Sequence, residues 1–175
     1  MRTILFFSSV AIFVSSCSSP ETKPTVSPIT MAYNNTEPDD WNNAYATKPT
    51  DNAHSGKTVA YVDSAVEFSL GYSKAMANIS KTPIDSVVFS YWVFMKDNKA
   101  KAKTVLSIDK ADKSKNLFWA GYLIDEKVKE YNKWMQVSES FKLPANMDPT
   151  SVLKLYVWNN SKEEILLDDF KVEFY

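Results

Sequence analysis

From residue 58 onward, apolar and polar positions alternate in short runs separated by turn residues. Period-two alternation rich in β-branched and aromatic side chains predicts strands over 58–63, 66–70, 74–79, 85–95, 104–109, 117–124, 135–141, 152–158 and 165–174. In 85–95 one parity reads Val87, Phe89, Tyr91, Val93, Met95, apolar throughout, while the other reads Val88, Ser90, Trp92, Phe94. Successive side chains of a strand point to opposite sides, so the first set faces a core and Trp92 points away from it. In 152–158 the same argument turns Leu153, Leu155 and Val157 inward and Lys154, Tyr156 and Trp158 outward. No comparable stretch holds a helical period. Residues 125–134 have room for one or two helical turns, and lysine-rich 96–103 reads as a solvated hairpin loop. The pattern predicts an all-β fold, an antiparallel sandwich of about nine strands over residues 31–175.

The chain ahead of this block changes character twice. Residues 31–52 predict a short first strand near 31–37 and then a long loop, because Asn34-Asn35, Pro38-Asp39-Asp40 and Asn42-Asn43 are turn chemistry, while Tyr33, Trp41 and Tyr45 could dock on a core. Residues 17–30 carry Pro20, Pro24 and Pro28 among small and charged residues and read as a flexible, disordered tether. Residues 1–16 combine Arg2, an apolar run over 4–14 and small residues before Cys17, the anatomy of a signal peptide. Val14-Ser15-Ser16-Cys17 resembles a bacterial lipobox. That resemblance implies cleavage before Cys17 and acylation of its thiol and new amino group, palmitate included, at about 0.8 kcal/mol per buried methylene. It implies an outer-membrane lipoprotein, since Ser18 follows the cysteine, either periplasmic or surface-exposed. The other reading of the segment is an ordinary secretory signal with an incidental cysteine.

Composition narrows the chemistry. The 175 residues hold one Cys, one His (His54) and three Gly, with 20 Lys+Arg against 21 Asp+Glu. A disulfide framework or a Cys/His zinc site needs more of these residues than the chain has. Phosphate-cradling loops need clustered glycines, and Gly56, Gly71 and Gly121 are far apart. A net charge of −1 argues against nucleic acid as a partner.

Ala53-His54-Ser55-Gly56-Lys57, Tyr61-Val62-Asp63, Glu67-Phe68-Ser69, the 87–95 strand, Trp134, Phe141-Lys142-Leu143-Pro144 and Leu167-Asp168-Asp169-Phe170, in that order, resemble the galactose-binding-like jelly rolls. Many of these are carbohydrate-binding modules of bacterial polysaccharide-degrading enzymes. The resemblance runs over about residues 37–175 and implies a jelly-roll β-sandwich. It also implies a structural calcium between the first and last strands, with Glu37, the Gly56 and Lys57 carbonyls and Asp168 as counterparts of the family's ligands. Here Thr36 stands where the family usually has an aromatic. The alternative is that Asp168 caps a strand end by hydrogen bonding and Glu37 is solvated.

Sugar recognition uses flat apolar platforms beside a few polar groups that orient hydroxyls. Trp92, Trp119, Tyr156 and Trp158, with Lys154 and Asn159 as polar companions, are the candidate carbohydrate-binding residues. In the competing reading these aromatics pack beneath the 31–52 loop with Trp41. Trp134 is expected in the core. Catalysis finds little support. His54 and Ser55 are adjacent on an extended chain and point apart, and the acidic pairs Asp39-Asp40, Glu163-Glu164 and Asp168-Asp169 diverge likewise. The sequence therefore predicts a non-catalytic, lipid-anchored module that binds polysaccharide or oligosaccharide. The alternative is a structural or assembly lipoprotein that docks on an envelope protein partner through the same aromatics.

Overall fold

A computed structural model describes residues 26–37, 41 and 46–175. The lipobox, Cys17, the signal segment and most of the tether lie outside the described residues. The described residues hold ten strands: β1 (Thr30–Asn34), β2 (Thr47–Pro49), β3 (Thr58–Val62), β4 (Tyr72–Ala75), β5 (Ser86–Met95), β6 (Ala102–Asp109), β7 (Asn116–Leu123), β8 (Trp134–Lys142), β9 (Val152–Asn159) and β10 (Ile165–Phe174). One helical turn, α1 (Met76–Ile79), and a 3-10 turn over Ile124–Glu126 complete the regular structure among the described residues.

The strands form two antiparallel sheets. One runs β2-β3-β10-β5-β8, with β1 also on β10; the other runs β4-β9-β6-β7. β1 and β3 lie end to end along the same edge of β10. Thr30–Asn34 pair with Phe174 to Phe170, and Ala60 to Val62 pair with Leu167 to Ile165. At the seam between them β10 bulges, its register against β5 shifting between Asp168 and Lys171, and Asp169 takes a φ of 48°.

The inner parities build the core as the alternation predicts. Val87, Phe89, Tyr91, Val93 and Met95 of β5 are buried against Leu153, Leu155 and Val157 of β9 and against Phe170, Val172 and Phe174 of β10. Each such side chain contributes about 1.5–3 kcal/mol on burial. Tyr91 keeps its hydroxyl satisfied on Thr104 Oγ1 at 2.5 Å, and burial pushes its phenol well above the usual range.

Several expected elements differ, each for a local reason. Residues 66–70 make no strand: Asp63 Oδ1 accepts the Ala65 and Val66 amides in a turn, and Ser69 Oγ accepts the Val157 amide that a ladder carbonyl would otherwise take. Only an isolated bridge joins Phe68 to Trp158. Residues 74–79 begin in β4 but close into α1, where the Ser80 amide bonds the Met76 carbonyl at 3.2 Å. Residues 96–103 are not a hairpin loop. They carry the chain from one sheet to the other, with Ala100 and Ala102 buried. The first strand stops at Asn34, whose Oδ1 accepts the Thr36 amide at 2.7 Å as Thr36 turns to φ 63°. The three-residue β2 falls within the stretch expected to be a long loop, of which residues 38–40 and 42–45 lie outside the described residues.

Candidate functional site

The outer face of the β4-β9-β6-β7 sheet gathers aromatic and polar side chains from four strands. Register sets its rows: Ser73, Lys154, Ser107 and Trp119 lie side by side, then Tyr156, Val105 and Gly121, then Trp158, Lys103 and Leu123. Gly121 leaves the sheet flat beneath the Trp119 indole, since a Cβ there would lie 2.6 Å from Trp119 Cη2. Trp119 and Phe68 are each 44% exposed, so both offer a ring to solvent. Trp158 stacks on Phe68 at 6.5 Å and 17° and meets Trp119 edge-on at 6.4 Å; Phe68 also meets Tyr156 edge-on at 5.7 Å.

Polar groups are held beside these rings. Glu67 Oε1 accepts from Trp158 Nε1 at 2.8 Å, fixing the indole. Lys154 Nζ donates to Asp109 Oδ2 at 2.8 Å and Asn116 Nδ2 to Asp109 Oδ1 at 2.9 Å. Burial works to raise the Asp109 carboxyl, but the hydrogen bonds from Lys154 and Asn116 and the Lys154 charge outweigh it, holding it below the usual carboxylate range. Phe68, Tyr72, Ser107, Asp109, Trp119 and Tyr156 are among the residues lining a groove of about 400 Å³ on this face.

Trp119, Tyr156, Trp158 and Lys154 are thus brought together, and Trp92 is not among them. It points outward as its strand parity requires, but from the other sheet, opposite Asp168 and Gln136. There His54 lies flat on its ring at 3.9 Å and 16°, and Trp134 approaches His54 edge-on at 5.8 Å. Trp134 itself is half-buried on that outer face beside Phe94 rather than in the core. Asn159 is also not at the groove, since its Nδ2 donates to the Glu163 carbonyl and its Oδ1 accepts from Ser161. Nor does Trp41 cover the aromatic face; it packs against Tyr72 and Phe170 at the edge of the core. Lys103, Asp109 and Asn116 were not singled out by sequence, and Glu67 and Phe68 only as part of a fold motif, because strand parity identifies outward residues but does not say which strands become neighbours.

The residues aligned with a calcium site do meet at the seam of β1 and β3, wired to one another by hydrogen bonds. Asp168 is fully buried. Its Oδ1 accepts from the Asp169 amide at 2.8 Å with the Thr36 hydroxyl at 3.0 Å, and its Oδ2 accepts from the His54 and Ser55 amides at 2.9 and 3.1 Å. Glu37 Oε1 accepts from the Lys57 and Thr58 amides at 2.7 and 2.9 Å, an approach open only because Gly56 has no Cβ and turns at φ 60°. The Lys57 carbonyl accepts from the Thr50 amide at 2.9 Å. A calcium ion needs six to eight oxygens at about 2.3–2.6 Å. Asp168 Oδ1, Asp168 Oδ2 and Glu37 Oε1 are each engaged by amide protons, which would compete with such an ion for these oxygens. Desolvation pushes the Asp168 carboxyl above its usual range, aided by the charge of Asp169 and opposed by the amides and the Thr36 hydroxyl.

His54 and Ser55 both reach Asp169, through Nδ1 to Oδ2 at 2.5 Å and Oγ to Oδ1 at 2.6 Å. The serine hydroxyl is spent on the carboxylate rather than on the imidazole, which is the wrong order for a nucleophile relay.

No family model and no curated protein sequence matches the chain. Solved structures do. The CBM22-2 xylan-binding domain of Paenibacillus barcinonensis Xyn10C has a TM-score of 0.50 at 12% identity, covering 76% of this chain and 94% of that one. The CBM22-1 xylan-binding domain of the same enzyme has a TM-score of 0.43 at 16% identity, covering 73% and 81%. The CBM22-1-GH10 modules of Clostridium thermocellum xylanase 10B, complexed with xylohexaose, give 0.47 at 14% identity, covering 74% of this chain and 24% of that one, so the chain spans about a quarter of that protein. What is shared is the β-sandwich fold.

Proposed function

We propose that the protein is a non-catalytic carbohydrate-binding module whose ligand lies across the outer face of the β4-β9-β6-β7 sheet. The observation that carries this reading is the exposed Trp119 ring, set over Gly121 and flanked by Phe68, Tyr156 and Trp158 above a groove with fixed polar groups. Pyranose C–H faces stack on such rings, while Lys154, Asp109, Asn116 and Ser107 provide donors and acceptors for hydroxyls. The named neighbours that bind xylan make xylan the first polysaccharide to try. The lipobox resemblance at Cys17 extends the proposal to a module tethered at the outer membrane, holding glycan near the cell surface.

The test is affinity-gel electrophoresis of the full chain in a non-glycosidic detergent against xylan and a panel of other polysaccharides. Retention is expected for the wild type and for Trp92→Ala, with loss of at least tenfold in affinity for Trp119→Ala and Trp158→Ala. Migration unaffected by every glycan, with the wild type shown to be folded, would overturn the reading.

A further inference from the structure

Two lysines from neighbouring strands stand on the aromatic face, and they are used differently. Lys154 is neutralised by Asp109. Lys103, one strand over, lies within 4 Å of no carboxylate among the described residues. Its Nζ sits instead in the corner between two indoles, 5.6 Å from the Trp119 ring and 5.5 Å from that of Trp158, whose planes meet at 82°. The nearby acid on this face, Glu67, is engaged by Trp158 Nε1. We propose that Lys103 makes this a site for acidic glycans, in which the carboxylate of a uronic-acid residue pairs with Lys103 while its ring stacks on Trp119. The inference rests on the carbohydrate-binding reading and specifies the class of sugar.

The argument is one of charge and position. An ammonium carries three donors and no acceptor, so it meets a carboxylate better than a neutral hydroxyl. The ring contacts lie at the outer range of cation–π attraction and leave most of that donor capacity unused. Lys103 Nζ lies over the Trp119 ring, 5.6 Å from its centroid, so the C5 substituent of a pyranose placed against that indole comes within reach of the ammonium. A uronate places its anion there; a neutral hexose places a hydroxymethyl group.

The experiment compares glucuronoxylan and polygalacturonate with the same polymers after carboxyl reduction, which exchanges each carboxylate for a hydroxymethyl and keeps the backbone. Affinity gels of the full chain in non-glycosidic detergent should show about tenfold tighter binding to the acidic form of at least one pair. The preference should shrink as salt rises from about 0.01 M to about 1 M. Lys103→Met, which keeps an apolar stem between the indoles, should bring the acidic and reduced forms to equal retention, and Lys103→Arg should keep the preference. Equal binding to both forms by the wild type overturns the inference and leaves the carbohydrate reading standing. A preference that survives Lys103→Met also overturns it. Failure to bind any polymer, acidic or reduced, sinks the underlying reading instead.

Discussion

Glu139 shows how much one side chain can set against the rest of a core. It stands on the inner parity of β8, 7% exposed, with Lys127 Nζ 3.7 Å from Oε2 and no hydrogen-bond partner on Oε1 among the described residues. Desolvation pushes its carboxyl above the usual range, the nearby Lys127 only partly offsetting it and Glu126 adding to it. A carboxyl raised in the folded state binds its proton more tightly there than in the unfolded chain. Stability from this group is therefore present at low pH and is lost as pH rises from the ordinary glutamate value through the raised one. Glu139→Gln is expected to raise the thermal midpoint at pH 7, and the gap to wild type should close on acidification; equal midpoints at pH 7 would contradict this. Glu164 has the opposite sign. Hydrogen bonds from Lys48 and Lys96 hold it below its usual range, so its contribution is lost on acidification.

At the scale of elements, the seam where β1 and β3 meet along β10 depends on one carboxylate. Asp168 collects amides from the 54–55 turn and from its own bulge, and so fixes the loop before β3 to the last strand. Asp168→Asn would turn an amide group toward those amide protons, at a cost of about 1–3 kcal/mol. For a domain of this size that lowers the midpoint by about 2–4 °C per kcal/mol. Because amides already fill this carboxylate, calcium or a chelator is expected to leave the wild-type midpoint unchanged by calorimetry; a rise with calcium would show that a cation displaces them. The same seam marks where the sequence was legible. Inner and outer parity of β5 and β9 follow from alternation, since a residue's side depends only on its neighbours in the chain, whereas the bulge in β10 shifts the parity between Asp168 and Lys171. The turn at 63–66 is local, since Asp63 accepts amides two and three residues on, whereas the crossing at 96–103 and the position of Trp92 under His54 depend on partners far away in sequence that no local pattern encodes.

The whole molecule adds what neither residues nor strands contain. Trp119, Lys103, Trp158 and Phe68 come from β7, β6, β9 and the segment before β4, and only the strand order β4-β9-β6-β7 makes them neighbours. Tyr156 and Trp158 were legible as outward aromatics, whereas the groove they border arises from sheet assembly. That assembly also brings the two ends of the fold to one place. Thr30 pairs with Phe174, and the Ile29 amide bonds the Phe174 carbonyl at 2.7 Å. Chain entry and exit thus share a single pole, which makes the domain a closed loop in all but one covalent link. A circular permutant that joins Tyr175 to Val26 through a short glycine-serine linker, with new ends opened in the exposed 110–115 turn between β6 and β7, is expected to fold with the parent's thermal midpoint to within a few degrees. The same geometry suits the domain to insertion within a surface loop of a host protein, where the host's two flanking residues would stay close together.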